Sequence, residues 1–378
     1  MRIFAVLFKV FMKYIYQNTD WPNFIWDTKK VLPILAQVRN LQGKILGKME
    51  LLGFSVRKES TLIMLTNDVL KSTEIEGVIL QREEVRSSIA RKLGMDIVGL
   101  KPSGRDVDGI VEVMIDATQH CLQVLTKERL FSWHAALFPT GRSGMYKITV
   151  GGFRNDETGP MQVVSGALGK ERVRFVAPSS EVINNEIELF LKWFNAKDEL
   201  DAIMKSAISH FWFITLHPFD DGNGRIARAI ADMQLAISDE TSQRFYSMSS
   251  QIESRKKEYY HILEKCQKGN IDITDWILWY CECLKGALES TEVSLQATFK
   301  KAKFWELHAQ TPLNKRQVLM INKLFDDFFG KLSTSKWAKM TKCSRDTALR
   351  DIQFLMKKNI LEKEEGGGRS TTYVLGGF

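Results

Sequence analysis

Residues 217–228 read HPFDDGNGRIAR, and the surrounding elements can be placed outward from them. Pro218 restricts His217 to extended or turn conformations, so the apolar run AIMKSAISHFWFITL of 202–216 reads as a helix that stops there and leaves the imidazole at a helix end, poised rather than buried. Asp220 and Asp221 lead into Gly222, Asn223 and Gly224, a backbone that can take left-handed dihedrals and turn its N–H groups toward one point, the form of an anion nest. A second helix is expected from about Arg225, its positive dipole end adding to the nest and favouring a phosphate. Ile226, Ile230, Met233 and Ile237 form an apolar stripe on that helix, which leaves Arg225 and Arg228 on the other side, facing the anion site. A carboxylate beside a polyphosphate implies a divalent cation, and Mg²⁺, which keeps several waters, suits Asp221 alone. Taken singly, a histidine at a helix end, an acidic glycine loop and two helix-face arginines are usually structural. Their joint occurrence in so short a stretch points to chemistry. The loop is not a P-loop, since no GxxxxGK[ST] occurs and GALGKE at 166–171 resembles one only superficially.

The texture on both sides is mostly helical. From Trp26 to about Lys92 the apolar period is that of helices, as in VLPILAQVRNLQGKILGKME and TLIMLTNDVLKSTEIEG. GLKPSGRDVDG, residues 99–109, reads as a linker before a second run of helices beginning near Ile110. Between Gly144 and Pro178 the pattern changes to alternation, and MQVVSG and RVRFVAP flank the turn-like ALGK, so a β-hairpin is expected there as the one clear break in the helices. Further helices are expected over 181–195, 254–267 and 273–304. From about Asn314 the order is helix, helix, helix, then a glycine turn between two short strands.

Composition bounds the classes. The 378 residues are 44% hydrophobic and 26% charged, enough for two or three cores and unlike a disordered or disulfide-stapled chain. A formal net charge of +8 favours acidic partners such as nucleotides or nucleic acid. The five cysteines form no CxxC pair, which suits a reducing cytoplasm. The start MRIFAVLFKVFMKYIYQ has its apolar run broken by Lys9 with no small-residue cleavage site after it, so no signal peptide is expected and Met12 is the simpler start. No run reaches the length of a membrane span, so no membrane partner is expected.

At residues 217–228 the chain resembles the Fic family, whose motif HxFx[D/E]GNGRxxR is matched at every specified position. The resemblance implies a nucleotidyltransferase, a protein adenylyltransferase that moves AMP from ATP onto a Ser, Thr or Tyr hydroxyl of a protein, itself included. By it His217 is the catalytic base, Asp221 holds Mg²⁺, Asn223 with the Gly222 and Gly224 amides binds phosphate oxygens, and Arg225 and Arg228 neutralise the leaving and terminal phosphates. Phe219 is an anchor in the core. The hairpin of 162–177 lies where the family carries its flap, which holds a target segment by strand addition. EYYHILEKCQKGNIDITDW resembles the helix lining the adenine pocket and points to Tyr260 and Gln267. KSTEIEG at 71–77 is similar to the family's inhibitory pattern [S/T]xxxE[G/N], through Ser72, Glu76 and Gly77. There the glutamate pairs with the second motif arginine, here Arg228, and Gly77 lets the helix end approach another backbone. A homodimer is a further family-based expectation.

The last 48 residues carry ten Lys and Arg against five Asp and Glu, a basic module. STSKWAKMTKCSRDTALRDIQFLMKKNIL gives two helices joined at Lys342 and Cys343, the second opening on Ser344, and GGGRSTTYVL supplies a wing. Such a winged helix-turn-helix suits DNA, with Ser344, Arg345, Thr347 and Arg350 toward the groove and Lys357, Lys358 and Arg369 toward phosphates, and equally suits dimerisation or target docking. A second reading of the whole chain is a DNA-binding regulator in which the Fic core senses a nucleotide. The expected architecture is therefore mainly α. It comprises an N-terminal helical region (1–100) with an inhibitory helix at about 60–77, a Fic catalytic domain (110–300) with a β-hairpin flap, and a winged-helix domain (305–378).

Overall fold

The structure is a computed structural model that describes residues 14–50, 54–95, 100–157, 159–166, 172–197, 199–241, 243–325, 328, 330–364 and 371–376. Met12, the hairpin turn at 167–170 and Arg369 with its glycine turn lie outside the described residues. The chain divides into two compact units, Met1–Thr291 and Glu292–Phe378.

The first unit is built on α7 (Ala202–Leu216), in which every residue from Ile203 on is buried. Several of its polar side chains are accommodated from outside the helix or along it, while His210 Nδ1 and Trp212 Nε1 are buried with no hydrogen-bond partner among the described residues. The Lys205 ammonium donates to the Ala196 carbonyl (2.6 Å), the Ser206 hydroxyl donates to Ala231 O (2.7 Å), and Thr215 donates back to Phe211 O (2.7 Å). Against α7 packs α8 (Asn223–Ser238). The single apolar stripe expected on this helix is not what is found. Ile226, Ile230 and Met233 are buried as expected, but so are Arg228, Asp232 and Gln234, because neighbouring elements surround α8 and supply partners to its polar groups. Asp232, for instance, accepts from the buried Arg244 guanidinium at 2.9 Å.

Before this pair run α1 (Thr28–Glu50), α2 (Phe54–Ile75), α3 (Arg82–Lys92), α4 (Arg105–Gln119) and α5 (Lys127–Leu137). The buried residues of α1, Val31, Ile34, Val38, Gln42, Ile45 and Met49, recur at three- and four-residue spacing, one face of a helix. Arg39 fixes that face with two bonds to Asp201 (3.0 and 2.8 Å), and Gln42 donates to Asp239 (2.6 Å). On α2, Asp68 accepts from the Ser247 hydroxyl (2.7 Å) and the Ser249 amide (3.1 Å). The linker expected at 99–109 is no boundary. Helix α4 begins at Arg105 rather than near Ile110, and Ser88 on α3 donates to Asp108 on α4 at 2.5 Å, so the helices on either side are joined.

The hairpin expected near 162–177 is present as β3 (Gln162–Ser165) paired antiparallel with β4 (Arg172–Val176). A bulge after Val163 leaves Arg174 without an opposite residue, and its side chain reaches Ser165 Oγ (2.6 Å) and Glu264 (3.0 Å). It is not the one break in the helices. A smaller pair, β1 (Arg142–Ser143) with β2 (Tyr146–Lys147), precedes it, and two-residue strands carry no alternation to read. The unit continues through α6 (Ser180–Asn195), α9 (Met248–Ser254), α10 (Lys256–Gln267) and the first residues of α11 (Thr274–Leu307).

The second unit holds α12 (Lys315–Phe325), α13 (Thr334–Thr341), α14 (Arg345–Lys357) and the antiparallel pair β5 (Leu361–Lys363) and β6 (Tyr373–Leu375). Its core gathers Phe304, Met320, Trp337, Ile352, Leu355 and Tyr373. Ser333 and Ser344 cap α13 and α14, each accepting from a backbone N–H three residues on.

Candidate active site

His217 follows the last residue of α7 in a left-handed conformation (φ 50°, ψ 55°), which turns the chain at Pro218 and sets the imidazole at the helix end. Two buried groups hold that turn. The Arg154 guanidinium donates to His217 O (2.8 Å), while the Arg154 amide donates to Pro218 O (2.9 Å). The imidazole Nδ1 lies 3.2 Å from Ile214 O, so it is the protonated nitrogen, and Nε2 keeps its lone pair. Burial, helped by the Arg154 charge, pushes the His217 pKa below its usual value despite that hydrogen bond, so the ring is a neutral base at physiological pH.

The loop after it is closed on itself. Asn223 Oδ1 accepts from the Phe219 amide (2.9 Å) and its Nδ2 donates to Phe219 O (2.8 Å), so the side-chain amide ties the loop together. Phe219 is buried and stacks on His134 with ring centres 4.2 Å apart. His134 in turn donates from Nε2 to Asp221 O (3.2 Å) and accepts from the Gly151 amide at Nδ1 (3.4 Å), an arrangement only the neutral ring can make. Burial takes its pKa to about 4. Gly222 is left-handed (φ 81°) and caps α8. The Asp221 carboxylate accepts from the Gly222 amide (2.5 Å) and from the Ser143 hydroxyl of β1, and lies 3.9 Å from Arg225. Arg225 is otherwise laid over the Phe138 ring, 4.9 Å from its centre, and its buried Nε has no hydrogen-bond partner among the described residues.

Arg228 is buried, with 2% of its side chain exposed. Its Nε donates to Ser72 Oγ (2.9 Å), and Nη2 donates both to Ser72 O (2.9 Å) and to Glu76 Oε1 (2.7 Å). Burial opposes the guanidinium charge, but the Glu76 carboxylate outweighs it and holds the pKa above its usual value. Nη1 is buried with no partner among the described residues. Glu76 reaches this place through two glycines. Gly77 is left-handed (φ 82°) and closes α2, its N–H donating to Glu74 O and that of Val78 to Thr73 O (3.0 Å each). Nothing stands within 4 Å of where its side chain would be, so Gly77 serves this turn and not the close backbone approach expected of it. Gly224 provides the room. A Cβ there would sit 2.2 Å from Glu76 Oε1 and 3.2 Å from Arg228 Nη1.

One cavity of about 840 Å³, a nucleotide-sized space, takes in part of this set, while Gly222, Arg225 and Arg228 are not among its lining residues. It is lined by Glu76 and Gly77, by Gln162 to Ser165 of β3, by His217, Asp220, Asp221, Asn223 and Gly224, and by Tyr260 and Gln267 of α10. Tyr260 is 42% exposed and its hydroxyl donates to Ile75 O (3.3 Å), and the buried Gln267 donates to Thr215 Oγ1 (3.2 Å). Arg154, His134 and Ser143 were not singled out by the sequence. Each lies in a loop, helix or two-residue strand without a motif of its own, and only the fold brings it to the loop. Among the described residues no three His, Cys, Asp or Glu side chains gather to hold a metal. The single Asp221 carboxylate fits Mg²⁺ only with ligand oxygens and water completing the shell.

Residues 124–235 match the Fic/DOC family, and residues 14–95 match a domain of unknown function, DUF4172. The Fic/DOC match spans His217, the nest and both motif arginines. It is 26% identical over 102 residues to a probable protein adenylyltransferase of Aquifex aeolicus, covering 27% of this chain and 29% of that one. It is 31% identical over 100 residues to a protein adenylyltransferase of Caenorhabditis elegans, covering 26% of this chain and 18% of that one. The chain thus spans less than a third of the curated relatives it matches. A solved Fic family protein from Desulfovibrio desulfuricans G20 shares the fold, with a TM-score of 0.54 at 18% identity over 93% of this chain and 97% of that one. No described helix is long and apolar enough to cross a membrane.

Proposed function

We propose that the protein is an adenylyltransferase that moves AMP from ATP onto a Ser, Thr or Tyr hydroxyl of a protein, itself included, and that Glu76 restrains it. The observation that carries this reading is the pairing of a neutral His217, its Nε2 open to a ligand, with an anion nest whose arginine Arg228 is occupied by a carboxylate. Relatives named as protein adenylyltransferases support it.

In this reading His217 Nε2 takes the proton of the target hydroxyl as its oxygen attacks the α-phosphorus. The backbone N–H groups of Asn223 and Gly224 hold phosphate oxygens, the Gly222 N–H being bonded to Asp221, and Arg225 and Arg228 stabilise the charge on the departing pyrophosphate. Tyr260 and Gln267 line the end that takes the base. Asp221 would hold Mg²⁺, which supplies positive charge against the phosphates when bound. The β3–β4 hairpin presents unpaired backbone for a target segment to join as a strand. Glu76 competes with the terminal phosphate for Arg228, and a small displacement of the phosphates is enough to slow in-line attack steeply. The N-terminal helices and Fic domain form the catalytic part, and α12 to β6 form a winged helix-turn-helix.

Intact mass after incubation with ATP and Mg²⁺ tests the reaction class. The expected result is a gain of one or more AMP units on the Glu76→Gly protein and none on His217→Ala. A gain of phosphate instead, or no gain with ATP bound, would overturn it.

A further inference from the structure

The acidic side chains of the second unit are unevenly used. Asp351 is taken up inside it, accepting from Arg316 Nε (2.8 Å), Arg316 Nη2 (3.1 Å) and Asn314 (2.8 Å). Glu364 pairs with Lys331 at 3.1 Å. Among the described residues, Lys339, Lys342, Arg345, Arg350, Lys357 and Lys358 have no such partner, and all six are exposed. They belong to α13, the turn after it, and α14 with the residue that ends it. Among the described residues of 339–363, the exposed acidic side chains are Asp346 and Glu362.

Helix α14 shows why the charge is concentrated there. Its buried side, Ala348, Asp351, Ile352 and Leu355, packs into the unit, and the opposite side presents Arg345, Asp346, Leu349, Arg350, Gln353 and Lys357. Leu349 is left 39% exposed between two arginines. Lys342 takes a left-handed conformation (φ 51°) that ends α13 and lets α14 start at once after it. The Ser344 and Thr347 hydroxyls, expected at a groove, are bonded to each other at 2.9 Å, and Ser344 caps the helix, so neither is free to read a ligand.

We propose that this face binds duplex DNA with α14 in the major groove. Arg345 and Arg350 match the paired acceptors of guanine, Gln353 those of adenine, and Leu349 suits the thymine methyl. Lys339, Lys342, Lys357 and Lys358 flank them as phosphate contacts. The inference concerns the second unit and stands or falls apart from adenylyl transfer.

The test uses the full chain and a fluorescein-labelled DNA duplex of mixed sequence, read by anisotropy, with auto-adenylylation measured on the same preparations. With about five phosphate contacts, affinity falls roughly 10²- to 10³-fold between about 50 and 200 mM salt. Arg345→Ala with Arg350→Ala weakens binding at least about tenfold. Lys357→Gln with Lys358→Gln lowers the salt slope by about two. Neither pair changes auto-adenylylation. Absence of binding at low salt by protein that still adenylylates itself overturns the proposal, as does binding that the α14 substitutions leave unchanged, or tighter binding to duplex RNA of the same sequence.

Discussion

Helices α8 and α14 both open on a tight turn and both carry a pair of arginines early, yet they treat the charge in opposite ways. On α8, Arg228 is sealed inside the unit and held by Ser72 of α2 and by Glu76 just after that helix. On α14, Arg345 and Arg350 stand in solvent without an acidic partner among the described residues. A buried guanidinium cannot be left alone, because removing its water costs several kcal/mol unless an anion replaces it. An exposed one needs nothing. The buried arginine therefore needs an internal anion, and Glu76 fills that need; under the proposed function the same carboxylate becomes a competitor of the ligand. The exposed pair can wait for a partner without any brake.

The largest expected effect falls on the base beside the buried arginine. His217→Ala should lower auto-adenylylation by roughly 10²- to 10⁴-fold while ATP affinity by calorimetry changes by less than about threefold. Equal losses in rate and affinity would remove His217 from its role. The two arginine settings are contrasted next by stability. Arg228→Ala should cost about 2–4 kcal/mol in urea unfolding, through the lost pairing and the space left behind, whereas Arg350→Ala should stay within about 0.5 kcal/mol. Similar values for both would mean the burial of Arg228 carries no energetic weight.

Gly224→Ala probes the room that Glu76 occupies. Its added Cβ meets the Glu76 carboxylate, so it should destabilise the parent more than a Glu76→Gly background, with a coupling of about 1 kcal/mol. Additive costs would place the carboxylate elsewhere. The smallest effect is on pH. Burial lowers the His217 pKa, so the unfolded chain takes up that proton first as pH falls. Its contribution to stability is present above about pH 6.5 and is lost as pH falls toward the folded pKa. The folded ring takes up its proton only below its usual pKa, so the acid limb of the rate profile should lie under about pH 6.5. A limb above it would contradict the burial.

Much of this was legible where a local rule coincides with the tertiary outcome. Pro218 ends α7 at Leu216, and alternation marks β3 and β4. Ser344 caps α14 because its short hydroxyl reaches back to the helix amides. What was not legible depends on partners far along the chain. The polar residues of α8 gave it an exposed side on paper, but Arg244 and Ser72 arrive from distant elements to take them inside. The Asn223 side chain is bonded to Phe219, and no spacing distinguishes that from an amide left for phosphate. Arg154 sits in a loop after two glycines, and nothing local announces that it grips the His217 carbonyl.

Under the proposed function one arginine, Arg228, serves two anions in turn. Auto-adenylylation at saturating ATP should therefore be compared for the parent, Glu76→Gly, and Glu76→Gly with Arg228→Ala, each checked to be folded. A rise of at least about tenfold in the single variant, most of it lost in the double, is expected if freeing Arg228 is what restores the phosphate geometry. A single variant no faster than the parent, or a double variant that keeps the whole gain, would contradict it.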